Sequence, residues 1–260
     1  MSIKRPKDLS LRNFQQRQRK TTALDDATVK VAAIQDDLEN KYTLEIGMAT
    51  ATGLLDVFQP GLIRGAASLA FAPHKRYFYV EHPTEGWRVY MRACCFLHEQ
   101  GQPFDPARFL VVKRYEANPT TKAWEPPKGQ MEGKDAKSEE ASLIELMAEN
   151  VRREVSEEAK VSAFHSLRYT GLVVQSREPD YPTNHFFQYH IFQALVSPQT
   201  IQEAYDTFQW LHEHPKVWKR MRPDKREKDA LAWFDPKATR LMGKWSPSIV
   251  ALYLQKAPPL

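Results

Sequence analysis

No apolar run in this sequence of 260 residues approaches the length of a membrane span. The nearest, residues 46–73, is interrupted by Asp56, Pro60 and Arg64, so a spanning helix is excluded there. Cysteine is nearly absent. The two present, Cys94 and Cys95, are neighbours, which almost never bridge and which point to opposite faces of a strand. A disulfide framework is therefore excluded, and a reducing, cytoplasmic compartment is expected. The N-terminus has no apolar stretch of the kind a secretory leader needs. Internal repeats are also lacking.

What is present reads as a globular chain. Hydrophobic residues make up 42% and charged residues 27%, enough for one sizeable core plus an extension. The formal charge of +5 favours acidic partners: nucleotides, polyphosphates or RNA. Basic residues crowd the first twenty positions, with Asp8 the one acid. Three readings of that segment stay open: a solvated tail, a mitochondrial or plastid transit segment, and an arm that grips phosphate. Leu24, Val29, Val31, Ile34 and Leu38 predict a helix over 24–39. The Ala-, Gly- and Leu-rich stretch 44–72 predicts short helices packed on the main body. Residues 1–73 thus form a basic tail and helical extension, and the main domain spans 74–260.

In that domain strands are expected at 77–81, 88–97, 108–114, 171–174, 185–196 and 230–234. Helices are expected at 138–159, which lacks Pro and Gly, at 201–219 and at 248–255. This order predicts an α/β fold of the α+β kind, a mixed sheet flanked by helices.

The chemistry concentrates in two stretches. Glu154, Glu157 and Glu158 fall at i, i+3 and i+4, on one helical face about 100° wide. Three carboxylates so placed repel each other unless a cation offsets them. All-oxygen ligands suit a hard divalent ion, Mg²⁺ or Mn²⁺, rather than zinc. Upstream, Pro126, Pro127, Lys128 and Gly129 supply a rigid turn, backbone groups and a cation. Together these parts suit phosphate chemistry.

With these residues the chain resembles the Nudix hydrolase family. Gly129 matches the first Gly of the Nudix box, and Asp135 falls where its first Glu belongs. Arg153, Glu154, Val155, Glu157 and Glu158 match the second half, and Val161 the final apolar position. Lys160 replaces the last Gly, and ten extra residues separate Gly129 from Arg153. The resemblance implies a Nudix-like α/β/α sandwich over 74–260. It implies that Glu154, Glu157, Glu158 and the carbonyl of Gly129 hold Mg²⁺ or Mn²⁺, with Glu157 as ligand or general base. Arg153 would orient a neighbouring carboxylate, and Lys128 would face the phosphates. The implied reaction is attack of water on a phosphorus in a nucleoside diphosphate linked to another group.

The stretch from Trp124 to Gly129 is most similar to that of diadenosine polyphosphate hydrolases, and less so to diphosphoinositol phosphohydrolases and decapping enzymes. Trp124 is a candidate to stack on a base. The basic run 216–228 is a candidate for a long polyphosphate or RNA, against the plainer reading of a solvated face. Glu227, within that run, is a weaker candidate acid or base. By alternation His190 shares a face with Phe186, Gln188 and Phe192, and His185 with Phe187 and Tyr189. The leading expectation is a pyrophosphohydrolase acting on a dinucleoside polyphosphate. Its alternatives are a non-catalytic binding or assembly module on the same scaffold, RNA decapping and diphosphoinositol phosphate hydrolysis.

Overall fold

The computed structural model describes residues 44–48, 53–136 and 141–260. The basic tail and the helix expected over 24–39 lie outside the described residues. The chain enters as β1 (Leu44–Met48), β2 (Ile63–Leu69), β3 (Ala72–Glu81) and β4 (Arg88–Glu99). After β5 (Leu110–Arg114) come the short β6 (Trp124–Glu125) and β7 (Lys128–Gln130), then a 3₁₀ turn, Gly133–Ala136. Helix α1 (Leu143–Glu158) precedes β8 (His165–Ser176) and β9 (His185–Val196). Helices α2 (Pro198–Glu213) and α3 (Pro215–Arg220) follow, then a 3₁₀ turn Pro223–Arg226, β10 (Lys228–Trp233) and α4 (Trp245–Lys256).

Seven strands form a mixed sheet in the order β1-β8-β9-β4-β3-β2, with β7 also paired to β4. At its centre β4 and β9 run parallel from Arg88↔His185 to Glu99↔Val196; the other pairs are antiparallel. A parallel pair must be covered on both sides, and both strands are buried along almost their whole length. Alternation divides β4 cleanly. Val89, Met91, Ala93, Cys95 and Leu97 join a cluster with α1 and α2, whereas Tyr90, Cys94 and Phe96 join one with α4. Cys94 and Cys95 are thus free, buried and on opposite faces. Helices cover both faces of the mixed sheet, as the fold class expected from the sequence requires. A second sheet, β10-β5-β6, is antiparallel.

The stretch 44–72 corrects the sequence expectation: among its described residues it contributes strands β1 and β2, not short helices. Small residues favour a helix only when nothing better uses them. Here Gly65 lets Tyr79 of the partner strand lie flat across β2, since a Cβ there would meet the Tyr79 ring at 2.5 Å. The sheet therefore crosses residue 74, through the β2–β3 hairpin. The helix expected at 201–219 is two helices, broken at His214, where Pro215 cannot donate to the preceding turn. No helix among the described residues is long and apolar enough to cross a membrane.

Candidate active site

The site begins where the chain changes sheets. Glu125 ends β6 in the small sheet, and Lys128 starts β7 in the large one. Pro126 and Pro127 lie between them, without N–H groups to donate to either ladder. The Pro127 carbonyl still accepts from the Cys95 N–H at 3.0 Å, which ties the corner to β4. Both prolines are buried, so the corner is rigid.

Helix α1 packs against this corner. It starts with a capping box: Ser142 Oγ accepts from the Glu145 N–H, and the Glu145 carboxylate accepts from the Ser142 N–H. Leu143, Leu146, Met147, Val151 and Val155 form its apolar stripe and are all buried. The ten extra residues of the box therefore include the first turns of this helix, which starts at Leu143 rather than at 138. Anchoring the stripe fixes where the next face points. Gly129 and Glu154 meet there so closely that a Cβ on Gly129 would lie 2.0 Å from Glu154 Cδ.

The structure brings Glu154 and Glu158 to the corner in different surroundings. Glu158 is 3% exposed. One of its oxygens accepts from the Lys128 backbone N–H at 2.9 Å, and the other lies 3.0 Å from Lys228 Nζ. Lys228 also pairs with Glu125, which in turn lies 2.7 Å from Lys128 Nζ and accepts from Ser246 Oγ at 3.1 Å. Burial alone would raise the Glu125 pKa, but Lys128 and Lys228 together pull it down to about 2. Burial raises that of Glu158, against the pull of Lys228. Two carboxylates and two ammonium groups thus balance in a buried square.

Glu154 lies outside that square. Its oxygen accepts from Arg153 Nη2 at 2.9 Å and from Asn150 Nδ2 at 3.4 Å. Burial, and then the neighbouring Glu158 charge, push its pKa up to about 7. Arg153 also pairs with Asp135, whose carboxylate accepts from the Glu132 N–H. Asp135, at the first acidic position of the box, is thereby joined to the helix across the insertion. The half-buried Glu157 carboxylate has no hydrogen bond or ion pair among the described residues.

Other candidates are placed as follows. The Trp124 indole N–H donates to the Pro119 carbonyl at 2.8 Å, and its backbone contacts Arg240, Leu241 and Met242. The Lys128 ammonium turns inward to Glu125 and the Tyr189 ring. Glu227 gives its carbonyl to the Tyr115 N–H. His190 is fully buried, between the Tyr169 hydroxyl and Gln188. In the basic run 216–228, Lys216, Lys219, Arg220 and Arg222 face outward, whereas Lys228 is drawn into the site. Sequence reasoning missed Glu125 and Ser246, and named Lys228 only as one cation of the basic run 216–228. The available signal was Lys228 and Asp229 opening an apolar strand, where charges need partners.

Residues outside the square fit a hard divalent ion. Glu154 and Glu157 are oxygen donors on one face, and the absence of a side chain at Gly129 lets the Glu154 carboxylate lie directly against that backbone. At Glu158 the Lys228 ammonium already lies 3.0 Å from one carboxylate oxygen. Among the described residues no three acidic, His or Cys side chains already converge as a metal cluster. Beside this face a cleft of about 470 Å³ is lined by His74, Lys75, Arg76, Glu132 and Lys134.

The NUDIX domain family matches residues 90–252. No curated protein matches the chain. Among solved structures it is similar to a mutant pyrophosphohydrolase of Bacillus subtilis, at 12% identity, covering 75% of this chain and 88% of that one, with a TM-score of 0.36. It is also similar to a mutT/nudix family protein of Listeria innocua, at 16% identity over 64% and 92% of the two chains, TM-score 0.33. A NUDIX hydrolase of Nitrosomonas europaea shares 12% identity over 75% and 85%, TM-score 0.31.

Proposed function

The chain belongs to the Nudix family and is a hydrolase of pyrophosphate-containing substrates, and on that premise we propose that it cleaves a phosphoanhydride in a nucleoside diphosphate linked to another group, with Mg²⁺ or Mn²⁺. A dinucleoside polyphosphate is the substrate class we put first, because Trp124 to Gly129 resembles that subfamily. The observation that carries the reading is the Glu154–Gly129 approach: the Glu154 carboxylate lies against the Gly129 backbone, as close as only glycine allows, so that a carboxylate and the residue whose carbonyl the Nudix box offers to a metal stand together.

Glu154 and Glu157, with the carbonyl of Gly129, would hold the ion. A bound divalent cation neutralises charge on the phosphoanhydride oxygens and makes water more acidic. The chain's own residues do the rest. Arg153, clamped between Asp135 and Glu154, fixes the Glu154 rotamer by charge-assisted hydrogen bonds. Glu157, with no protein partner for its carboxylate, accepts the proton of the attacking water. The buried square fixes the corner bearing Gly129. Lys75, Arg76 and Lys134 beside the neighbouring cleft attract the remaining phosphates of a long substrate.

The test is a panel of dinucleoside polyphosphates, nucleotide sugars, diphosphoinositol phosphates and 5′-triphosphorylated RNA, each with Mg²⁺ and with Mn²⁺. Glu157→Gln removes a group without a partner, so the fold should survive while turnover falls at least about 100-fold. Turnover close to wild type in that variant would refute the role of Glu157. Preference for RNA, with affinity falling steeply as salt rises, would replace the dinucleotide reading by decapping.

A further inference from the structure

The basic run 216–228 holds one lysine that behaves unlike its neighbours. Lys228 is 5% exposed and meets two carboxylates, Glu125 and Glu158. Its position is built rather than incidental. The β10–β5 ladder pairs Lys228 with Arg114 and Ala230 with Lys113, so the register slips between Lys228 and Ala230. A bulge of this kind re-aims a side chain. Ser246, on α4, completes the coordination of Glu125 from the far side.

We propose that Lys228 is a built-in counter-cation, which occupies Glu158 and confines a divalent ion to the outer carboxylates Glu154 and Glu157. This rests on the reading that the box carboxylates bind such an ion. Three observations carry it. Both Glu158 oxygens are already engaged, one by the Lys128 N–H and one by Lys228 Nζ. The charges of Glu125, Glu158, Lys128 and Lys228 cancel in a space nearly closed to water, where a further double positive charge would lack a partner. Glu154 meets neither lysine; its partners are Arg153 and Asn150, and Arg153 is shared with Asp135. The negative charge that awaits a cation thus lies one helical turn from Lys228's pair.

The role of Lys228 is that of a positioning residue. It sets which carboxylates an ion can use, without touching substrate.

Mn²⁺ titration of the metal-free protein, followed by the electron paramagnetic resonance signal of the free ion, tests this without turnover. Glu125→Gln/Lys228→Met removes one positive and one negative charge together, so the buried balance survives. It should bind Mn²⁺ at least about tenfold tighter than wild type, because Glu158 is released to the ion. Lys228→Arg keeps the cation and should titrate like wild type. Equal Mn²⁺ affinity in wild type and the double variant would overturn the inference while leaving a metal-dependent hydrolase intact. Absence of Mn²⁺ binding in both would instead overturn the metal-binding reading itself. Should Lys228→Met alone fail to fold, with two carboxylates facing one ammonium, the double variant still decides the question.

Discussion

Gly129 works through what it lacks. Any side chain there would push on Glu154, but on the far end of a flexible chain rather than on backbone. Gly129→Ala should therefore fold with a Tm close to wild type, because Glu154 can swing aside. Its Mn²⁺ affinity should fall about tenfold, since the displaced carboxylate leaves Arg153 and the ion site. Calorimetry and a titration on the same sample check both; a large drop in Tm with unchanged affinity would contradict this account. The Gly129 and Glu154 positions were legible in the sequence, because each half of the box keeps its own residue pattern on either side of the ten extra residues. Lys228 was not. It sits about seventy positions from Glu158 among solvated lysines and arginines, and only pairing of β10 with β5 and of β5 with β6 carries it to Glu125.

The last turn of α1 shows how an element ends without its usual residue. Lys160 follows the C-cap Ala159 and adopts φ +58°, where glycine is at ease and other residues lose about 1 kcal/mol. The lysine offsets this cost through its tip. Its ammonium donates to the carbonyls of Glu157 and Lys225, and it lies 5.7 Å from the Phe208 ring centre and 5.9 Å from that of Trp218. Burial brings its pKa down to about 8, despite Glu158 and Glu157. It joins α1 to the 3₁₀ turn before β10 and to α2. Lys160→Ala keeps the strained backbone and loses the contacts, so urea unfolding should show a loss of about 2 kcal/mol. Lys160→Gly relieves the strain and should lie about 1 kcal/mol above the alanine variant. A glycine variant more stable than wild type would mean that the contacts contribute less than the strain costs. Among elements, the long strands β4 and β9 were the most legible, being apolar over many consecutive positions. The start of α1 was misread because its first positions lack Pro and Gly; 138–140 lie outside the described residues, and the capping box fixes the boundary at Ser142.

Across the whole molecule, two buried histidines make the sheet sensitive to acid from both sides. His98 on β4 bonds the Tyr253 hydroxyl of α4 at 2.7 Å. His190 on β9 sits between Tyr169 and Gln188 on the face that holds α1 and α2, with Phe58 edge-on at 5.6 Å. Burial depresses both pKa values, to about 4 for His98 and about 3 for His190. The unfolded chain takes up these protons first, as pH falls below about 6.5. Stability from the neutral rings is therefore complete above that value and is lost as pH falls toward 4 and then 3. For His98 the loss is on the order of 3 kcal/mol. Glu154 acts in the opposite sense: its raised pKa means that its protonated form adds stability below pH 7, and this is lost as pH rises from about 4.5 to about 7. A single pH profile mixes the two effects, but the difference between wild type and His98→Gln cancels the glutamate. Urea unfolding at pH 8, 6, 5 and 4.5 should show the wild type losing stability faster than His98→Gln on the way down, with the gap between them narrowing. Parallel profiles would mean that His98 takes up its proton in the fold as readily as in the unfolded chain, because solvent reaches it between β4 and α4.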